Sequence, residues 1–196
     1  MKLNNMWNDF LMYNREFHLN DYIGDKNLHI GCGNKIFEKF INIDINGENV
    51  DLIHDLNKPL PYEENTIDLI FSDNVFEHID NVVDLIQDCL RVLKPDSYLI
   101  IKVPYFKSSW AYIDLTHKNF FTIKSMDYFI KDKYANKEYR YFDESFSQLE
   151  ILREKKDKSI LRSILWVYAM KRTNTYENSI ISNIYPIGNI IYLLKK

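Results

Sequence analysis

The chain has 196 residues and a net charge of −3, which leaves room for one domain and argues against a dedicated nucleic-acid binder, which would carry a strongly basic face. With 46% apolar and 15% aromatic residues, a packed core is expected and wholesale disorder is excluded. The two cysteines, Cys32 and Cys89, lack CxxC or Cys/His spacing, so they read as reduced thiols and no metal ligand is assigned.

The N-terminal stretch lacks the basic and apolar regions of a signal peptide, and no run approaches the ~20 apolar residues of a membrane span, so a cytoplasmic protein is expected. Leu3, Trp7, Phe10, Leu11 and Phe17 recur at roughly helical spacing and predict an amphipathic helix over 3–18 that covers the domain. Asp21 to Asn27 is a turn. Leu28 to Ile30 is strand 1, and it breaks into Gly31-Cys32-Gly33. Glycine carries no Cβ and tolerates positive φ, so this turn can bend sharply and leave peptide N–H groups facing a ligand. A short helix around Ile36 to Lys39 fits before strand 2, Phe40 to Ile45, which alternates apolar and polar residues.

Val50 to Leu56 is a third short strand and Ile67 to Ser72 the fourth. Val82, Leu85, Ile86, Cys89, Leu90 and Leu93 follow the i, i+3, i+4, i+7 pattern of a helix over 80–93, with Asp80 as its N-cap. Tyr98 to Pro104 is strand 5, apolar enough for a buried parallel position. Residues 105–123 form a long aromatic and polar loop of the kind that carries function. A helix over 124–131, a strand over 146–154, a basic segment over 153–172 that reads as a solvated face or a surface for phosphate or lipid headgroups, and a last strand after Gly188 complete the chain.

Strand, helix and strand joined by short links argue an α/β sheet with right-handed crossovers. Ligands of such sheets bind beyond the carboxyl ends of the strands, where Gly31, Gly33, Asp44, Asp55 and Asn74 all fall. A carboxylate at the end of strand 2 can accept both hydroxyls of a ribose, and Asp55 with the Leu56 backbone could read adenine.

The runs LHIGCGN, INIDI, DLIHDLNKPLPYEENTIDLIFSDNVFEHI and LRVLKPDSYLIIKVP resemble the class I S-adenosylmethionine-dependent methyltransferases, of the small type that accompanies glycan and capsule biosynthesis. The resemblance is close over 28–104 and looser through WAYIDLTHKNFF and the C-terminal YENSIISNIYPIGNIIYLLKK. It implies a single domain with a Rossmann-like seven-stranded sheet of order 3-2-1-4-5-7-6, strand 7 antiparallel: an N-terminal helix within 1–20, a cofactor-binding core over 28–104, and an acceptor loop and cover over 105–196. It implies S-adenosylmethionine as cofactor and S-adenosylhomocysteine as product. Gly31, Cys32 and Gly33 would pass beside the methionine and ribose, Asp44 and Ile45 would hold the ribose, Asp55 and Leu56 the adenine, and Asn74 would sit near the methionine. His29 stands where many members carry an acid, and no third glycine follows Gly33.

Methyl transfer from a sulfonium needs mainly an in-line approach, with a base only when the acceptor is a hydroxyl. His78, His117 and Asp114 are candidates, and His117 with Asp114 to orient it is preferred. Tyr105, Trp110, Tyr112, Phe120 and Phe121 would form an acceptor wall, as aromatic faces suit a sugar ring. The expected activity is methyl transfer to a hydroxyl or amine of a small acceptor, a sugar or sugar nucleotide. The alternatives are an NAD-dependent oxidoreductase, against which Ile36 in place of a third glycine counts, and a catalytically silent binding module.

Overall fold

The computed structural model describes residues 15–139, 142, 144–154 and 159–196. Its centre is a seven-stranded sheet of order β3-β2-β1-β4-β5-β7-β6, built from β1 (Asn27–Ile30), β2 (Ile41–Asp44), β3 (Leu52–Ile53), β4 (Ile67–Asp73), β5 (Leu93–Pro104), β6 (Gln148–Leu152) and β7 (Asn189–Lys195). β1 to β5 run parallel, and β7 inserts antiparallel between β5 and β6. Leu28 and Ile30 on β1, Ile67, Leu69 and Ile70 on β4, and Leu99, Ile100 and Ile101 on β5 are fully buried. Continuous apolar strands are what a sheet covered on both faces requires.

The helix α1 (Val82–Val92) places Leu85, Ile86, Cys89, Leu90 and Val92 against the sheet, each full-size aliphatic contributing about 1.5–3 kcal/mol by its burial. Its N-cap is Asn81, whose side chain accepts from the Asp84 N–H, and not the expected Asp80. The Asp80 N–H donates instead to Asn57 Oδ1 at 2.9 Å, which holds Asp80 one residue outside the helix.

The short helix expected around Ile36 to Lys39 is absent, and the Asn42 amide accounts for it. Its Oδ1 accepts from the Phe37 N–H at 2.9 Å, and its Nδ2 donates to the Phe37 and Phe40 carbonyls at 3.1 and 3.0 Å. A side chain that satisfies these backbone groups replaces the helical bonds. Of the helix expected over 3–18, residues 1–14 lie outside the described residues. Glu16 forms a bridge to Arg153, and the first helical turn among the described residues is the 3-10 segment Leu19–Tyr22.

The long loop contains the short α2 (Trp110–Ile113) and returns to the sheet through a bridge between Tyr105 and Phe121. The expected 124–131 helix is a 3-10 turn, Ser125–Phe129. α3 (Tyr134–Tyr139), α4 (Ile160–Lys171), α5 (Thr173–Glu177) and α6 (Ile181–Ile184) follow. Among the described residues no helix is long and apolar enough to cross a membrane.

Candidate active site

Beyond Ile30 the chain turns through Gly31 at φ +66° and Gly33 at φ +52°, the left-handed region that favours glycine. A Cβ on Gly31 would stand 2.2 Å from Val75 Cγ2, whereas one on Gly33 would meet nothing within 4 Å. The two glycines therefore do different things: Gly31 lets the turn pack on the segment after β4, and Gly33 leaves an open surface. The turn's N–H groups do not face a ligand as expected. Those of Gly31 and Cys32 donate to the Ile43 carbonyl at 2.8 and 3.1 Å, and that of Gly33 to Asp44 Oδ2 at 2.8 Å, because β1 and β2 are neighbours.

Asp44, at the carboxyl end of β2, also accepts from the Asn46 N–H at 3.2 Å through Oδ1. One N–H on each oxygen leaves a lone pair on each, enough for two vicinal hydroxyls. Ile45 beside it is exposed and Leu56 is buried. Asp55 Oδ1 accepts from both the backbone and side-chain N–H of Asn57 at 3.0 and 3.1 Å, and these bonds hold its carboxyl below the usual range. Cys32 is buried, and burial pushes its thiol up, so it is a packing residue and not a nucleophile. His29 is buried, stacks on Phe37 with centroids 4.6 Å apart and meets Asn42 Oδ1 at 3.4 Å.

After β4, Asn74 adopts φ +57° and its Nδ2 donates to Asp73 Oδ1 at 2.9 Å. Asp73 also pairs with Lys35 at 2.8 Å and Lys102 at 3.1 Å. Burial raises its carboxyl, but the two ammonium groups outweigh this and hold it below the usual value. The Lys35 pair ties the glycine turn to the end of β4, and the Lys102 pair ties β4 to β5. The free acceptor capacity of Asp44 and the open face of Gly33 fit the ribose of an adenosyl group, with Asp55 and Leu56 on the neighbouring strand end.

Next to this edge the 3-10 turn Phe76–His78 is joined to the long loop. The Lys118 and Asn119 N–H groups donate to the Glu77 carbonyl at 2.7 and 3.0 Å, and Asn119 Nδ2 donates to the Phe76 and Ile79 carbonyls at 3.2 and 2.7 Å. These bonds bring His117 to His78. Asp114 does not orient His117 as expected: its Oδ1 accepts from the Thr116 hydroxyl at 2.7 Å, and the Thr116 oxygen meets His78 Nδ1 at 2.9 Å. His117 Nδ1 lies 3.0 Å from the Ala111 carbonyl instead.

The donors follow from these contacts. A carbonyl only accepts, so His117 carries its proton on Nδ1; the Thr116 proton goes to Asp114, so His78 Nδ1 must donate to Thr116. With Nδ1 the donor in each ring, the neutral form of either imidazole has its lone pair on Nε2. Burial, with His117 beside it, lowers the His78 pKa. Glu77 belongs to the same cluster, with one ligating atom of each of the three residues within 4.8 Å of the others; it is 1% exposed, with neither carboxylate oxygen hydrogen-bonded among the described residues. Burial pushes its carboxyl up to about 7. Sequence reasoning missed Glu77 and Asn119, although Glu77 stands beside His78 in FEHI, and gave no role to Thr116.

The aromatic wall divides. Tyr112 and Phe120 stack with centroids 5.1 Å apart, and both they and Trp110 are exposed. Tyr105 and Phe121 are buried: their mutual bridge, and the bond from the Tyr105 N–H to the Gly188 carbonyl at 3.0 Å, draw them into the core. A cavity of about 660 Å³ lies at the same sheet edge beyond β5, β7 and β6, lined by Arg153, Arg162, Trp166, Tyr176, Tyr185 and Asn189 among others. The basic 153–172 segment is thus not wholly a solvated face, for Arg153 is buried with its guanidinium over the Trp166 ring at 5.7 Å.

Residues 28–101 match the family model described as methyltransferase domain. No curated protein matches the sequence significantly. Among solved structures, a SAM-dependent methyltransferase from Archaeoglobus fulgidus superposes with a TM-score of 0.58 at 17% identity, covering 99% of this chain and 93% of that one. A SAM-dependent methyltransferase from Thermotoga maritima, described as a possible histamine N-methyltransferase, gives 0.56 at 12% identity over 99% and 96%. A third from Mesorhizobium loti gives 0.53 at 12% identity over 97% of each chain. At such identities the superpositions speak for the fold. The methyltransferase-domain match over residues 28–101 and the complete strand order give the chain the Rossmann-like fold of the class I methyltransferases.

Proposed function

We propose that the enzyme transfers the methyl group to a hydroxyl or amine of a small acceptor, a sugar or sugar nucleotide, held between the exposed Trp110, Tyr112 and Phe120 and the His78–His117 pair. Asp44 would hold the ribose of S-adenosylmethionine, with Gly31, Cys32, Gly33 and Ile45 beside it, Asp55 and Leu56 at the adenine and Asn74 toward the methionine. The cofactor supplies an electrophilic methyl on a sulfonium. The protein's part is to align the acceptor with it and to prepare the acceptor oxygen or nitrogen.

The observation that carries this reading is the pair of imidazoles, each with its neutral-form lone pair on Nε2, next to an exposed aromatic stack on the ligand-binding edge. His78 and His117 are the groups that would meet the acceptor, and Asp114 is a positioning residue that acts through Thr116 on His78. Stacked aromatic faces favour the apolar side of a sugar ring. The methyltransferase-domain match over residues 28–101 supports methyl transfer over the dinucleotide alternative.

Two measurements test it. Calorimetry should show S-adenosylhomocysteine binding, and an acceptor panel of sugars and sugar nucleotides should yield methylated product by mass spectrometry. No binding at millimolar ligand removes the cofactor role. Binding without product on any carbohydrate acceptor removes the acceptor class, and absence of product from every acceptor leaves the silent module.

A further inference from the structure

We propose that Glu77, His78 and His117 bind one divalent first-row transition-metal ion, with zinc as its natural candidate. One ligating atom from each residue lies within 4.8 Å of the other two. Ligand bonds of ~2.0–2.2 Å set neighbouring donor atoms about 3–3.5 Å apart, so modest side-chain rotations close the site.

Three independent features prepare these residues for a cation. The Glu77 carboxylate is buried with both oxygens unpartnered among the described residues. Such a group lacks the hydrogen bonds that ordinarily justify burying it, and a cation would supply the missing partner.

The second feature is the state of the two imidazoles. Both have Nδ1 committed as a donor, His117 to the Ala111 carbonyl and His78 to Thr116, which itself donates to Asp114. Metal-binding histidines are held in this way, with the far nitrogen bonded to a carbonyl or a carboxylate-backed group and the near lone pair directed to the ion. The third is the backbone joint between Glu77 and residues 118 and 119, which brings His117 to its partners across 39 sequence positions.

Two imidazole nitrogens and one carboxylate oxygen suit zinc, iron or cobalt, and suit magnesium poorly because it prefers oxygen donors. Three protein ligands also leave at least one coordination position open. The role of that position rests on the methyl-transfer reading above: an acceptor hydroxyl bound there would release its proton to water more readily. Its oxygen would then form the bond to the methyl carbon as the carbon–sulfur bond breaks and the thioether leaves with the electron pair. Activation by the ion would take the place of a free imidazole base.

The test uses the untagged full chain, stripped with a chelator and titrated with Zn²⁺, Co²⁺ and Mg²⁺. We expect uptake of one Zn²⁺ or Co²⁺ per chain by calorimetry, visible d–d absorption from the cobalt form, and no comparable uptake of Mg²⁺. Glu77→Gln and His117→Ala should each weaken Zn²⁺ binding at least tenfold while S-adenosylhomocysteine still binds, which shows that the variants are folded. The proposal is overturned if the unaltered chain takes up no Zn²⁺ or Co²⁺, if Mg²⁺ alone is taken up, or if both variants bind Zn²⁺ as tightly as the parent. Zinc uptake without S-adenosylhomocysteine binding would keep the metal site and sink the methyl-transfer reading.

Discussion

The rings of His78 and His117 meet edge to face with their centroids 4.6 Å apart, and among the described residues only His78 is linked through hydrogen bonds to a carboxylate. Asp114 reaches His78 through the Thr116 hydroxyl. Thr116→Val keeps the shape of that side chain and removes the link, freeing the His78 ring to change tautomer. We expect turnover about 10–100-fold lower, the size found when such outer partners are lost, with S-adenosylhomocysteine affinity unchanged. Equal loss of turnover and cofactor affinity would assign Thr116 to the cofactor pocket instead.

Asp44→Ala should weaken S-adenosylhomocysteine binding by about 10–100-fold in calorimetry. Hydrogen bonds from ribose hydroxyls to a charged carboxylate are worth about 1.5–3 kcal/mol, and each 1.4 kcal/mol is a tenfold change. The Gly33 N–H also loses its acceptor, so a small drop in melting temperature should accompany the change. Unaltered affinity would place the ribose elsewhere.

Gly31→Ala and Gly33→Ala separate the two uses of glycine in one turn. Both positions have positive φ, which costs a residue with a Cβ about 1–2 kcal/mol. Only at Gly31 does the new Cβ also collide with Val75, adding about 1–3 kcal/mol of overpacking. Gly31→Ala should therefore lower the melting temperature clearly more than Gly33→Ala, at about 2–4 °C per kcal/mol for a chain of this size. Gly33→Ala should instead show its larger effect on cofactor affinity, since its Cβ enters the open face.

Much of the sheet was legible because its code is local. Leu28 to Ile30, Ile67 to Ser72 and Leu99 to Val103 are short apolar runs bounded by turn residues, and α1 carries a full amphipathic period. The failures came where a side chain from elsewhere takes over the backbone. Asn42 abolished the helix before β2, and Asn57 moved the cap of α1 from Asp80 to Asn81. The placement of Gly31, Asp44, Asp55 and Asn74 on one edge could be read since each residue follows its own strand. The partner of Asp114 could not, for sequence proximity favoured His117 while the loop's fold delivers Thr116 to His78.

Asp73 makes an acid-sensitive clasp between the glycine turn and the centre of the sheet. Its side chain is 10% exposed and pairs with Lys35 and Lys102, of which Lys102 is 12% exposed and pairs also with Glu154. Its carboxyl is held below the usual carboxylate value in the folded chain. The stability it contributes is therefore complete above the unfolded value of about 3.9 and is lost as pH falls through the lower folded value. Thermal melts from neutral pH downward should show an acid limb steeper in the parent than in Asp73→Asn. At neutral pH the same variant should be less stable by about 3 kcal/mol, the low end of the loss when one partner of a buried ion pair is removed, because Glu154 still partners Lys102. Parallel acid limbs in the two proteins would show that Asp73 titrates alike in the folded and unfolded chains, and that the clasp adds nothing to stability.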